Sequence, residues 1–112
     1  MYKFDAQYRQ GQQAETYLDS VFSRWFIVSR VDAAKQRIGI DRIWRGRKRG
    51  QRLTVEYKCD RTAASTGNAF IELQSTDRSR GWALTSRADW LVYYVPGQRI
   101  YLVRMQIGRA HV

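Results

Sequence analysis

The sequence predicts an α/β domain in which a mixed β-sheet is accompanied by an N-terminal helix and a short second helix. Two observations carry this prediction: an apolar stripe at helical spacing near the start, and several short runs rich in β-branched and aromatic residues after it. With 112 residues, the chain is long enough for one domain with a real core and too short for two. We assign residues 1–106 to this single domain.

The first predicted element is a helix over residues 11–25. Apolar side chains recur there at spacings of i, i+3, i+4, i+7, i+8 and i+11, which is typical of a helix with one buried face. They are Ala14, Tyr17, Leu18, Val21, Phe22 and Trp25. We therefore expect this helix to pack on the sheet.

The remaining elements alternate with turn signals. In order, the sequence predicts a strand at 26–31, a hairpin of strands 38–44 and 52–59, a further strand at 69–75, a short helix at 81–88, and a final hairpin of strands 89–95 and 99–105. Residues 107–112 continue no pattern and resemble the translation of a sequencing adapter. We interpret them as a non-native or disordered tail, so the domain itself could continue beyond this chain.

Charge and composition narrow the class of function. Twenty Lys and Arg against ten Asp and Glu leave a net charge of +10, which favours a polyanionic partner, with nucleic acid first. Cys59 and His111 are the single cysteine and histidine, which excludes an internal disulfide, a cysteine zinc cage and a Ser-His-Asp triad. No apolar run is long enough to span a membrane, so we expect an intracellular, cytoplasmic protein and no membrane partner.

The hairpin of residues 38–59 brings isolated charges together. A tight loop of four or six residues would make the numbers of opposed residues sum to 95, so that Asp41 faces Thr54 and Gly39 faces Glu56. Because side chains alternate along a strand, Asp41, Glu56 and Lys58 would then share one face. The other face would be apolar, with Ile38, Ile40, Trp44, Leu53, Val55 and Tyr57.

Two carboxylates and an ammonium on one face suit a hard cation. Mg²⁺ takes oxygen ligands and usually shares a substrate phosphate. Lys58 would orient or deprotonate an attacking water, or stabilise developing charge. The alternative is an ordinary salt-bridged strand face.

The order of these residues resembles the PD-(D/E)XK nuclease superfamily. An N-terminal helix is followed by two adjacent strands, the first with Ile40-Asp41 and the second with Glu56-Tyr57-Lys58. The resemblance implies a restriction-endonuclease-like core and phosphodiester cleavage that depends on Mg²⁺, with Mn²⁺ as the alternative ion. It implies that Asp41 and Glu56 bind the metal and that Lys58 assists the water. Ile40 replaces the proline often found before the aspartate.

Two further residues enter through narrower resemblances. Glu15 stands where archaeal Holliday-junction resolvases, which this arrangement resembles, carry a helix glutamate that joins the metal site; the alternative is an exposed helix residue. Residues 66–90 resemble phage-type nucleases of the superfamily, and Gln74 would orient a site water or a DNA group, unless it makes a structural hydrogen bond.

The loop between the two hairpin strands is dense in arginine. Basic side chains on and around a hairpin tip would bind phosphates without reading sequence. The predicted contacts are Arg45, Arg47, Lys48, Arg49, Arg52 and Arg61. The alternative is a solvated hairpin tip.

Together these observations predict a metal-dependent nuclease acting on DNA, either an endonuclease or a Holliday-junction-resolvase-like enzyme, encoded by a phage or another mobile element and then active in the host cytoplasm. Two alternatives remain: a non-catalytic basic nucleic-acid-binding module on the same fold, and an RNA-processing nuclease. Cutting both strands would favour a homodimer.

Overall fold

The structure is a computed structural model that describes residues 3–62 and 86–105. It has two helices, α1 (Lys3–Phe22) and α2 (Ala33–Arg37). The strands are β1 (Phe26–Arg30), β2 (Arg42–Gly46), β3 (Arg52–Cys59), β4 (Trp90–Val95) and β5 (Arg99–Arg104). The predicted strand at 69–75, Gln74, residues 81–85 of the predicted short helix and the tail all lie outside the described residues.

The strands form one five-stranded sheet in the order β1-β2-β3-β4-β5. β3 and β4 pair in parallel, whereas every other neighbouring pair is antiparallel. A parallel pair needs a long connection that returns the chain to the same end of the sheet, whereas an antiparallel pair can be joined by a short turn. The predicted α/β domain with a mixed sheet is therefore confirmed.

Helix α1 covers one face of the sheet, which we call the helix face. Leu18 and Phe22 from the helix pack with Trp44, Val55 and Val92 from the strands, and none of these five is more than 6% exposed. Stacking of the Trp44 ring on Phe22, at 4.4 Å between centroids, joins the helix to β2. The predicted apolar stripe thus forms the core through its central residues.

The ends of the stripe differ from the prediction. Helix α1 ends at Phe22, so Trp25 lies in the turn before β1 and is 56% exposed. Tyr17 is also largely exposed and packs only its ring against Tyr94. The helical spacing identified the buried face correctly but extended it one turn too far.

Helix α2 is a second departure, because the short second helix is predicted near residue 85 and not here. Asp32 caps it by accepting a hydrogen bond from the Lys35 backbone N–H at 2.9 Å. The chain turns again at Gly39, which has a φ of +88°. Strand β2 therefore begins at Arg42 instead of residue 38, and Ile38 is exposed, not in the core.

The pairing of β2 with β3 also differs from the prediction. Residues 47–51 connect the two strands, and Gly46 donates its N–H to the carbonyl of Gln51. Opposed residue numbers consequently sum to 97 instead of 95, so Ile43, not Asp41, faces Thr54. Gly39 does not face Glu56 either: a Cβ on Gly39 would lie 2.8 Å from Ser86.

The face of the sheet away from α1, which we call the opposite face, carries a second apolar cluster. Leu91, Tyr93 and Val95 from β4 are almost completely buried there. Along β3, Glu56 is paired with Leu91 and Lys58 with Tyr93. Glu56 and Lys58 therefore belong to the opposite face, beside this cluster.

Candidate functional site

Asp41 lies just before β2, where regular pairing with β3 breaks down. Its backbone N–H donates to the carbonyl of Val55 at 2.8 Å, although Arg42 is the strand partner of Val55. Two consecutive residues thus meet one residue of β3, as at a β-bulge. The Asp41 carboxylate then accepts a hydrogen bond from the Tyr57 backbone N–H at 2.8 Å, in the place of a backbone carbonyl.

The carboxyl group of Asp41 is electrostatically strained. Its pKa is raised to about 6, first by burial and then by the negative charges of Glu56 and Glu15. The hydrogen bond from Tyr57 and the nearby charge of Arg42 lower this pKa without cancelling the increase. Asp41 and Glu56 are therefore neighbours, and at neutral pH their like charges repel one another.

Lys58 follows Glu56 on the same face of β3, two residues along. Residues two apart on a strand are about 7 Å apart, so the ammonium of Lys58 can reach a ligand held beside Glu56. The three predicted catalytic residues therefore come from two adjacent segments at one end of the β2–β3 pair. Asp41 approaches Glu56 through the bulge, and not through the strand pairing that the sequence predicts.

Arg42, the residue after Asp41, is buried on the helix face. Its side chain is 2% exposed and donates to Glu15 at 2.8 Å and to Asp19 at 2.9 Å. The hydroxyl of Tyr57 also donates to Asp19, and the Arg42 guanidinium lies 5.2 Å from the Tyr57 ring centre. We call Arg42, Glu15, Asp19 and Tyr57 the ionic cluster.

In the ionic cluster, both carboxylates bond to the buried guanidinium. Burial alone would lower the pKa of Arg42, but the hydrogen bonds to Asp19 and Glu15 outweigh it and raise that pKa. Arg42 also donates to the backbone carbonyl of Asp41 at 2.8 Å, so the cluster buttresses the bulge. In the sequence, the signal for the burial of Arg42 is its alternation with Trp44 along β2.

Glu15 belongs to the ionic cluster and also acts on Asp41. Its carboxylate is bound by Arg42, while its charge contributes to the raised pKa of Asp41. Within residues 3–62 and 86–105, no three His, Cys, Asp or Glu side chains are grouped so that they could hold a metal ion. The candidate donor set is therefore the pair Asp41 and Glu56, which suits an ion that keeps most of its waters.

The basic loop forms the exposed tip of the β2–β3 hairpin. Arg45 and Arg52 face each other directly across the two strands, although like charges in opposed positions are unfavourable. Both are exposed and, by strand alternation, lie on the same face as Glu56 and Lys58. A bound polyanion would relieve their repulsion.

Other predicted phosphate contacts are distributed differently. Lys48 and Arg49 are exposed at the tip, whereas Arg47 is tied down by two hydrogen bonds to the carbonyl of Ser23. Arg61 lies beyond the far end of β3, where it donates to the carbonyl of Gln10 at 3.0 Å. Arg61 therefore does not belong to the hairpin tip.

Asp89, the first residue of the predicted strand 89–95, joins β4 to β3. Its carboxylate accepts from the Thr54 N–H at 3.0 Å, and its own N–H donates to Thr54. Farther along, the Tyr93 hydroxyl donates to the carboxylate of Asp60. Both acids lie beside β3 on the opposite face and make structural hydrogen bonds.

Comparison with known proteins finds no match for this chain. No family model matches the chain, and neither a curated protein nor a solved structure does. Among the described residues, no helix has the length and apolar character required to cross a membrane. The candidate site therefore has to be judged on its own geometry.

Proposed function

We propose that this protein is a metal-dependent nuclease that hydrolyses DNA phosphodiester bonds, with a restriction-endonuclease-like core. One observation carries the proposal: Asp41 and Glu56 are repelling neighbours, and Lys58 follows Glu56 by two residues on the same face of β3. Buried repulsion between carboxylates is costly for folding and useful for holding a cation. The order of α1 and three antiparallel strands, followed by β4 parallel to β3, is compatible with that core.

Asp41 and Glu56 would hold Mg²⁺, which supplies charge stabilisation at a phosphodiester and a more acidic bound water. Asp41 is pre-oriented for this task, because the Tyr57 N–H holds one carboxylate oxygen. Lys58 would orient the attacking water and stabilise negative charge that develops on the phosphate. The ionic cluster keeps Asp41 in place through the bond from Arg42 to its carbonyl.

The substrate backbone would lie along the opposite face. Arg45 and Arg52 are on this face, and Arg52 precedes Glu56 by four strand residues, or about 13 Å. A phosphodiester chain bound by these arginines would extend towards the carboxylates. Charge steering of this kind gives affinity that falls with salt and depends little on base sequence.

Cleavage assays test the proposal directly. Supercoiled, linear, single-stranded and four-way-junction DNA would be incubated with the protein in Mg²⁺ or in EDTA, together with an RNA substrate. We expect Mg²⁺-dependent cleavage by the wild type and losses of at least about 100-fold for Asp41→Asn and Lys58→Ala. The matched controls Asp32→Asn and Lys35→Ala, which alter exposed or half-exposed charges on α2, should cleave like the wild type.

A second measurement does not depend on finding the right substrate. If Asp41 and Glu56 hold Mg²⁺, saturating Mg²⁺ should raise the thermal unfolding midpoint of the wild type but not of Asp41→Asn. Equal stabilisation of both proteins would place the ion elsewhere. Cleavage by Asp41→Asn at the wild-type rate would remove this site from the mechanism.

A non-catalytic nucleic-acid-binding module is the second candidate. The attachment of Glu15 to Arg42 favours it, because this removes one carboxylate from a metal site. In that case the protein would bind DNA equally in Mg²⁺ and EDTA and would cut none of the substrates. Retained binding without cleavage would therefore decide between the two proposals.

A further inference from the structure

Trp25 is a large aromatic side chain that is exposed to solvent instead of being buried in the core. It lies in the turn between α1 and β1 and is 56% exposed. The Phe22 ring supports it, with centroids 6.4 Å apart. The two ring planes are inclined at 55°, and the exposed indole is accessible to a flat ligand, as a stacking platform requires.

Basic side chains of the hairpin tip surround this platform. Trp25 borders a cavity of about 460 Å³, a size in the usual range for small-ligand sites. Its lining combines two aromatic residues with four cations: Trp25, Phe26, Arg24, Arg47, Lys48 and Arg49. Of the described residues that line it, none is acidic.

The cavity is partly preorganised. Arg47 donates twice to the carbonyl of Ser23, at 2.8 and 3.1 Å, which fixes the hairpin tip beside the turn that carries Trp25. Phe26 stacks on Trp44 at 4.9 Å between centroids, so the floor of the cavity is anchored in the core. Binding there would cost little ordering of the protein.

An apolar groove of about 620 Å³ lies on the other side of Trp25. Trp25 and Phe26 line both spaces, and Trp90 and Leu102 extend the groove across the helix face. The ridge between the two is therefore aromatic, with a cationic side and an apolar side. A ligand that matches it needs flat, weakly polar rings joined to closely spaced negative charges.

We propose that this surface binds single-stranded DNA, with a base stacked on Trp25 and the adjoining phosphates held by Arg24, Lys48 and Arg49. Single strands expose the faces of their bases, which duplexes bury in the stack. A second copy of this chain fits poorly, because four cations would meet another surface of a protein with a net charge of +10. The inference rests on the proposed function only in taking DNA as the substrate.

The test measures equilibrium binding in EDTA, where metal-dependent cleavage is absent. Fluorescence anisotropy would compare a labelled single-stranded oligonucleotide, its duplex and an abasic strand of equal length. A stacked base contributes about 1–3 kcal/mol, so Trp25→Ala should weaken single-strand binding by about 5–150-fold. Trp25→Phe should lose much less, and Tyr8→Ala, which removes an exposed aromatic ring outside the cavity, should bind like the wild type.

The abasic strand separates stacking from charge without relying on a variant. The wild type should bind it at least about fivefold more weakly than the normal strand, and Trp25→Ala should cause no further loss. Equal affinity of the wild type for both strands, or of wild type and folded Trp25→Ala for the normal strand, would overturn the proposal. Neither result bears on Mg²⁺-dependent cleavage, so the nuclease proposal can fail or survive separately.

Discussion

The ionic cluster and the Asp41–Glu56 pair lie on either side of the same bulge, yet they handle charge in opposite ways. Arg42 is fully buried, but both carboxylates of the cluster bond directly to its guanidinium, and one of them also accepts from the Tyr57 hydroxyl. The pKa of Asp41 is raised first by burial and then by its neighbours Glu56 and Glu15, which carry the same charge. The difference indicates that directly bonded opposite charges build the structure, whereas neighbouring like charges mark the candidate site.

The largest expected effect concerns the matched side of this comparison. Arg42→Met leaves Glu15 and Asp19 without their cation and should destabilise the protein by about 2–4 kcal/mol, because breaking a buried ion pair is costly. Urea unfolding would measure it. Arg45→Met, an exposed change on the same strand, is the control and should stay within about 0.5 kcal/mol of the wild type. Equal effects of the two substitutions would contradict the ionic cluster as a structural element.

Two isosteric substitutions should change the free energy of unfolding in opposite directions. Asp19→Asn removes the charged acceptor of Arg42 and Tyr57 and should destabilise the protein by about 1–2 kcal/mol. Asp41→Asn can still accept from the Tyr57 N–H while ending the repulsion with Glu56, so it should stabilise the metal-free protein by about 1 kcal/mol at pH 7 after allowance for solvent screening. Denaturant unfolding in EDTA measures both. A change of stability in the same direction for both variants would contradict the contrast between Asp19 in the ionic cluster and Asp41 beside Glu56.

The pH dependence of stability should isolate Asp41. Its pKa rises from an ordinary value of 3.8 to about 6 in the folded protein, so the folded state binds its proton more tightly. This contribution to stability is fully present below about pH 4 and is lost as the pH rises through 6. The stabilising effect of Asp41→Asn should therefore be small at pH 4 and reach its full size above pH 6. An effect independent of pH would contradict the raised pKa.

The smallest effect on stability and Mg²⁺ affinity is expected at Glu15, which belongs to the ionic cluster and also acts on Asp41. Glu15→Gln can still accept from Arg42, so we expect a loss of only about 0.5 kcal/mol in unfolding free energy and a change in Mg²⁺ affinity within about twofold. Calorimetric titration of Mg²⁺ into the variant, with Glu56→Gln as the comparison, would measure this. A loss of affinity as large as that of Glu56→Gln would support the metal-binding role that resemblance to the resolvases implies.

Regular patterns predicted the regular parts of the fold. Period-two alternation located β3 at residues 52–59 without error, and the Pro96-Gly97 turn located the hairpin of β4 and β5 within a residue at each end. Helical spacing found the buried contacts of Leu18 and Phe22. These features depend on interactions between residues close in sequence, which a single sequence records well.

The candidate site depended on less regular features. By itself, the sequence determined that Glu56 and Lys58 share a face of β3, because successive side chains of a strand point to opposite sides. Only the tertiary structure decided that Asp41 leaves the strand and that Arg42 is buried against Glu15 and Asp19. Moving the turn by one residue changes every opposed pair of β2 and β3 but leaves each side chain on its face, because the register shifts by two residues. The charges that meet at Asp41 were therefore set by contacts between distant segments.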